Sequence, residues 1–161
     1  MSIKIKRLTE NFAAEINDVN LCEKISVRDF SDIKTAFEEY SILVFPNQPL
    51  TDEQQVAFSQ RFGDLENTIN SKQQGGAGKP VTVLTNVGKN GEVIAPEDRR
   101  MVFNTGNQMW HTDSSFKPIP AMMSLLSGRE VPPEGGETEF ASMRAAYEDL
   151  DADQKSELEP L

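Results

Sequence analysis

The run SILVF, residues 41–45, is followed at once by Pro46-Asn47 and stands between two stretches that carry helix signatures. A continuous apolar run of this length, closed by turn residues, predicts a strand buried on both faces. Upstream, Ser26 with Asp29 three residues later predicts an N-cap, and Phe30, Ile33, Phe37 and Tyr40 recur at helical spacing. Residues about 27 to 40 are therefore expected to form an amphipathic helix. Downstream, Thr51 with Gln54 makes a capping-box pattern, Val56, Phe58 and Phe62 supply apolar contacts, and Gly63 is placed to end the helix. Helix, strand, helix is an order that packs helices against a sheet, because a strand without polar alternation has two faces to cover.

The remaining pattern continues this alternation. VTVLTNV, 81–87, reads as a strand, and GKNGEV with its Asn90-Gly91 pair predicts a turn and a short return strand. AMMSLLSGREV, 121–131, predicts another strand, and PPEGGETEF, 132–140, a turn-rich loop entering a strand. Ser142 caps MRAAYEDL, and Asp151 with Gln154 caps a last helical segment before Pro160. SKQQGGAGKP, 71–80, reads as a loop, either an ordinary surface excursion or a lid. No internal repeat or low-complexity tract is present. A length of 161 residues with 37% apolar content suits one domain with a core, or part of one, and the expectation is a single domain over 1–161.

Charge narrows the function classes. With 16 Lys+Arg against 26 Asp+Glu, the net charge of −10 repels phosphate backbones and anionic membrane surfaces, which argues against nucleic acid or membrane as partners. Arg99-Arg100, Lys117 and Arg129 read as solvated surface charge, with a small anion the alternative. One cysteine, Cys22, can form no internal disulfide, which fits a reducing, cytoplasmic setting. MSIKIKRLTENF has basic residues without a following apolar segment, and no run approaches the roughly 18 apolar residues of a membrane span. The expectation is a soluble, unprocessed chain.

WHTDSSF, 110–116, contains the single histidine. If residues 109–115 are extended, His111 and Asp113 point to one face while Thr112 and Ser114 take the other. An imidazole nitrogen beside a carboxylate oxygen makes two of the three ligands of a 2-His-1-carboxylate site, which leaves open positions on Fe(II). The tripeptide alone is not specific, since a lone histidine is more often a hydrogen-bonded structural residue. Nucleophilic catalysis fits these residues less well. Ser114 points away from His111, and for Ser115 the acid would stand between serine and base. Cys22 has only Lys24 as a basic neighbour, so no catalytic nucleophile is assigned. Trp110, Phe116 and Phe140 are expected to pack in the core.

Three blocks in fixed order, SILVFPNQPLTDEQQVAFSQRFGDLE, NTGNQMWHTDSSF and VPPEGGETEFASMRAAYEDL, resemble the taurine and 2,4-dichlorophenoxyacetate dioxygenase (TauD/TfdA) family, nearer its dichlorophenoxyacetate branch. The resemblance spans nearly the whole chain. It implies a mainly β fold with flanking helices, the double-stranded β-helix (a cupin-like jelly roll), left incomplete in this chain. It also implies Fe(II)- and 2-oxoglutarate-dependent oxygenation, in which the oxoacid is oxidatively decarboxylated to succinate while a small organic substrate is hydroxylated. Residue by residue, His111 and Asp113 match the first two iron ligands, and Thr138 in GGETEF matches the threonine that contacts the carboxylate of 2-oxoglutarate. Asn107 falls at a position bordering the co-substrate pocket, with a buried Asn capping a turn as the other reading. Ser71 and Lys72 lie near a substrate-contacting segment and are assigned nothing.

The sequence also departs from this family. Its members complete the triad with a second histidine and hold the co-substrate with an arginine, both near the C-terminus, and neither has a counterpart here. With one histidine, no 2-His-1-carboxylate site can form within this chain. The expectation is therefore the N-terminal part of a dioxygenase acting on a carboxylate- or sulfonate-bearing small molecule. The alternative is a catalytically inactive homologue that works as a binding or interaction module. Assembly of one site from two chains is a third arrangement.

Overall fold

The anticipated strand at 41–45 forms only in part, and it is held by a neighbour that the apolar pattern does not mark. The structure, a computed structural model, describes residues 2–66 and 81–160. The glycine-rich stretch 71–80, with Ser71 and Lys72, lies outside the described residues. The chain divides into two compact units, Met1–Thr51 with Gly128–Leu161, and Asp52–Ser127.

In the first unit, β1 (Lys4–Arg7), β2 (Ala14–Asn17) and β3 (Leu43–Val44) make a three-stranded sheet in that order. β1 runs antiparallel to β2, with Lys4 opposite Asn17 and Arg7 opposite Ala14. β3 runs parallel to β2, with Ala14 opposite Leu43. A parallel pair needs a crossover, and helix α1 (Val27–Tyr40) supplies it. β2 obeys the two-residue period of a strand with one face covered: Ala14 and Ile16 are buried, while Glu15 and Asn17 are half-buried. α1 packs on it with Ile33 and Ala36 buried, and Leu21, Ile25 and Leu50 complete this core.

Local chemistry fixes the ends of α1. The Ser26 hydroxyl accepts from the Asp29 N–H at 3.0 Å, as the sequence predicts. At the other end Ser41 takes a left-handed φ of 63°, and its N–H returns to the Phe37 carbonyl at 2.8 Å. That turn aims the chain so that Ala14 N–H donates to Ile42 O at 2.9 Å, which opens the pairing with β3. Ser41 is thus a helix terminator rather than the first residue of a strand. The strand also differs from expectation in its burial: Val44 is 42% exposed, because β3 is an edge in the described sheet.

Gln48 ties the following segment down. Its Oε1 accepts from Leu21 N–H at 2.8 Å, and its Nε2 donates to Val19 O and Pro46 O at 3.1 and 3.0 Å. Later in this unit, α4 (Met143–Glu148) is capped by Ser142, and α5 (Ala152–Leu158) by a full Asp151–Gln154 capping box, both as predicted. Arg144 donates to Glu38 O at 2.7 Å, placing a cation at the carboxyl end of α1, whose own last turn has none.

In the second unit, α2 (Asp52–Ser59) continues through hydrogen-bonded turns to Gly63 at φ 154°, and buried Phe58 meets Phe62 edge-on at 5.4 Å. The hairpin at 87–93 forms, closed by Gly88 N–H to Glu92 O at 2.7 Å and Ile94 N–H to Asn86 O at 2.8 Å, with Gly91 in the left-handed region. Only Val87 and Val93 pair as a bridge, so the strand expected over 81–87 is reduced to its tip. Residues 121–131 and 137–140 are likewise not strands. Over 121–127 half-buried and exposed residues still alternate, as in an extended chain. What is missing among the described residues is the hydrogen-bonded neighbour that turns extended backbone into sheet. Helix α3 (Arg99–Thr105) runs into a 3₁₀ turn, Gly106–Gln108.

Gln48→Ala should lower the urea midpoint without changing the slope, with a loss of about 1–3 kcal/mol for the unpaired backbone groups. Gln48→Glu keeps the bond from Leu21 N–H but turns a carboxylate oxygen toward the Val19 and Pro46 carbonyls, acceptor against acceptor, so equilibrium unfolding should show it no more stable than Gln48→Ala.

Candidate metal centre

His111 stands six residues past the end of α3, beyond the 3₁₀ turn. The 3₁₀ turn closes with Met109 N–H donating to Gly106 O at 3.2 Å and leaves Met109 extended, at φ −92° and ψ 143°. Its carbonyl thereby meets the His111 ring, with Nδ1 2.7 Å from Met109 O. A carbonyl can only accept, so Nδ1 carries the proton, and in the neutral ring the lone pair sits on Nε2. Nε2 lies 3.4 Å from Asp113 Oδ1.

The other carboxylate oxygen of Asp113 is also engaged. Ser124 Oγ donates to Oδ2 at 2.6 Å, from a point eleven residues further along the chain. The extended reading of 109–115 fails at Asp113, where the chain turns, with Ser114 at φ 58° and Lys117 N–H donating to Ser114 O at 2.9 Å. His111 and Asp113 are brought together by this turn rather than by the pleat of a strand. Glu66 holds the turn, accepting from Ser114 Oγ at 2.7 Å and pairing with Lys117, both partners of the ion pair being mostly covered. Lys117 is therefore not a solvated surface charge, and Ser114 is a structural donor.

Two lone-pair donors facing each other at 3.4 Å repel unless a cation, a proton or a metal ion, lies between them. For metal–donor bonds of about 2.1 Å, that spacing subtends roughly 108° at the metal, that of neighbouring tetrahedral corners and about 0.4 Å wider than neighbouring octahedral ones. The N,O donor set suits iron or manganese, and the Met109 carbonyl provides the orienting bond that metal-bound imidazoles ordinarily make. The side chains are open, His111 48% and Asp113 60% exposed, so a ligand could reach them. Among the described residues no three His, Cys, Asp or Glu side chains converge as a metal-binding group. The pair fits two positions of a metal site.

Asn107 is exposed in the 3₁₀ turn, which sets aside the buried-cap reading. Thr138 is exposed in the first unit, whereas Asn107, His111 and Asp113 belong to the second. Trp110, Phe116 and Phe140 are exposed by 70%, 74% and 52% instead of packing in the core, and all three sit on irregular segments. Ser124 and Glu66 were missed by sequence reasoning; their separations of eleven and forty-eight residues from their partners follow no local period.

The family model for the taurine catabolism dioxygenase TauD, TfdA family matches residues 4–161. The chain belongs to this family. It is 40% identical to the alpha-ketoglutarate-dependent 2,4-dichlorophenoxyacetate dioxygenase of Cupriavidus pinatubonensis, over 100% of this chain and 57% of the relative. It is 38% identical to the (S)-phenoxypropionate/alpha-ketoglutarate-dioxygenase of Sphingobium herbicidovorans, over 98% of this chain and 51% of the relative. The crystal structure of AAD-2 in complex with Mn(II) and N-oxalylglycine matches with a TM-score of 0.86 and 42% identity, over 99% of this chain and 54% of that one. The chain thus spans about half the length of the family members it matches.

The approach to the site is pinned at its start. Arg100 grips Asp98 through its backbone N–H at 2.9 Å and its guanidinium at 2.9 and 2.8 Å, at the first turn of α3. The guanidinium, and then the backbone N–H, hold the Asp98 carboxyl at about 2, below its ordinary 3.8. A depressed carboxyl pKa means that the clip supports the folded helix above pH 3.8 and is lost as pH falls through about 2. NMR titration should show α3 amides losing protection across that window in wild type, and no such step in Asp98→Asn.

Proposed function

We propose that this chain carries the His-Asp half of the iron centre of a 2-oxoglutarate-dependent dioxygenase that hydroxylates a small organic acid. The observation that carries the reading is His111 Nε2 standing 3.4 Å from Asp113 Oδ1, with Nδ1 committed to a backbone carbonyl. Iron and 2-oxoglutarate, when bound, supply the oxidising chemistry. The chain's own part is to present one nitrogen and one oxygen to the metal and to leave the remaining positions open. Thr138, by its match to the family motif, would donate its hydroxyl to a carboxylate of the co-substrate, and Asn107 would border the same pocket. Support for this cofactor pair comes from AAD-2, crystallised with Mn(II) and N-oxalylglycine, an analogue of 2-oxoglutarate.

A phenoxy-carboxylate is the favoured substrate class, because the relatives at 40% and 38% identity are named for 2,4-dichlorophenoxyacetate and (S)-phenoxypropionate. A sulfonate is the other candidate, through the taurine branch. In this reading residues 1–161 form part of one double-stranded β-helix domain, and the extended segment 121–127 takes its place in a sheet once a neighbouring strand is supplied. A second imidazole has to come from outside this chain's complement, which holds one. A cytoplasmic setting without nucleic-acid or membrane partners agrees with the lone cysteine and the net charge of −10; among the described residues no helix is long and apolar enough to cross a membrane.

Anaerobic addition of Fe(II) and 2-oxoglutarate should give a weak visible charge-transfer band that His111→Ala abolishes. Absence of a band at saturating co-substrate would rule out catalysis by this chain alone.

A second reading, a non-catalytic interaction module, is favoured by the exposed Val83, Leu84, Met109, Trp110, Phe116 and Ile119 of the second unit. Sedimentation velocity decides it: a defined oligomer supports the module, and a monomer at all concentrations counts against it.

A further inference from the structure

We propose that Ser124 is a positioning residue for the metal centre, holding Asp113 to a single donor oxygen. The inference rests on the metal reading of His111 and Asp113 above and assigns a role to a residue outside that pair. The Asp113 carboxylate has two oxygens in different situations. Oδ1 faces His111 Nε2 at 3.4 Å, and Oδ2 accepts the Ser124 hydroxyl at 2.6 Å. A hydroxyl bond of that length to a charged oxygen is of the strong, charge-assisted kind. It fixes the rotation of the carboxylate about its last bond, so that one oxygen is turned toward the imidazole and the other is turned away and occupied.

The consequence is a count of coordination positions. A carboxylate that binds through both oxygens fills two corners of a metal's shell, and one that binds through a single oxygen fills one. A centre that must admit a two-pronged oxoacid and a further reactant has no corner to spare. Ser124 is well placed to hold this state, because its segment is itself anchored within the same unit: Gln55 Nε2 donates to Leu125 O at 3.2 Å, next to Ser124 in the chain. His111 is fixed in parallel by Met109 O, so each of the two donors is oriented by one hydrogen bond on its far side. Outer partners of this kind typically govern 10–100-fold in metal affinity.

The single tryptophan, Trp110, adjoins His111 and gives a direct readout: binding of Mn(II), which is paramagnetic, should quench its fluorescence. With the full chain, Mn(II) titration and Ca(II) competition would be measured for wild type, His111→Ala, Ser124→Ala and Ser124→Thr. Ser124→Ala should weaken Mn(II) about tenfold. It should also narrow the preference for Mn(II) over Ca(II), because a carboxylate free to use both oxygens suits Ca(II). Ser124→Thr, which keeps the hydroxyl, should restore both. Unchanged Mn(II) affinity in Ser124→Ala, or an equal loss for both ions, overturns the one-oxygen role while leaving the His-Asp centre standing. Wild-type fluorescence indifferent to Mn(II), or quenching that survives His111→Ala, sinks the metal reading itself and this inference with it.

Discussion

The first unit depends on β2 being hydrogen-bonded along both edges. Four residues, AEIN, pair antiparallel with β1 on one side and parallel with β3 on the other, while Ala14 and Ile16 turn their small and branched side chains under α1. A short strand at an edge would fray; in the centre, its backbone groups are satisfied from two directions and its inward face is dry. The helix caps, the Ser41 turn and the Gln48 tie then serve one end, returning the chain to β2 in the right register.

The candidate metal site is built by different means. No sheet ladder carries it; a 3₁₀ turn, a left-handed serine and a half-buried ion pair set its geometry. Hydrogen bonds accepted by Met109 O and Glu66, and one donated by Ser124, do for His111 and Asp113 what strand pleating was expected to do. Such a site can hold its shape while the extended segments near it in the chain have no strand partner among the described residues, because its fixing contacts lie within one unit.

Helix ends were the most legible part of the sequence. Ser26, Ser142 and the Asp151–Gln154 pair all cap as their spacing predicts, since a cap is a contact over three residues and both partners appear in one short window. Strands were less legible, because an alternating pattern such as 81–87 or 121–127 states a preference for extension and says nothing of where the partner comes from. β1 and β2 passed unnoticed for the complementary reason: KIKR and AEIN are too short to show a period, yet their partners are at hand. At the site, His111 and Asp113 were legible as a pair and their placing in one turn was not. The burial of Trp110, Phe116 and Phe140 was expected from residue type alone, and residue type cannot say which faces are covered.

Ser114 carries an engineering lesson. Its φ of 58° suits glycine or asparagine better than serine, yet its hydroxyl is the one that Glu66 accepts. A library randomised at this position faces two filters that few residues pass together: glycine relaxes the backbone and loses the donor, while threonine keeps the donor and strains the backbone. Asparagine, which tolerates the left-handed region and carries an N–H donor, is the residue such a selection should enrich.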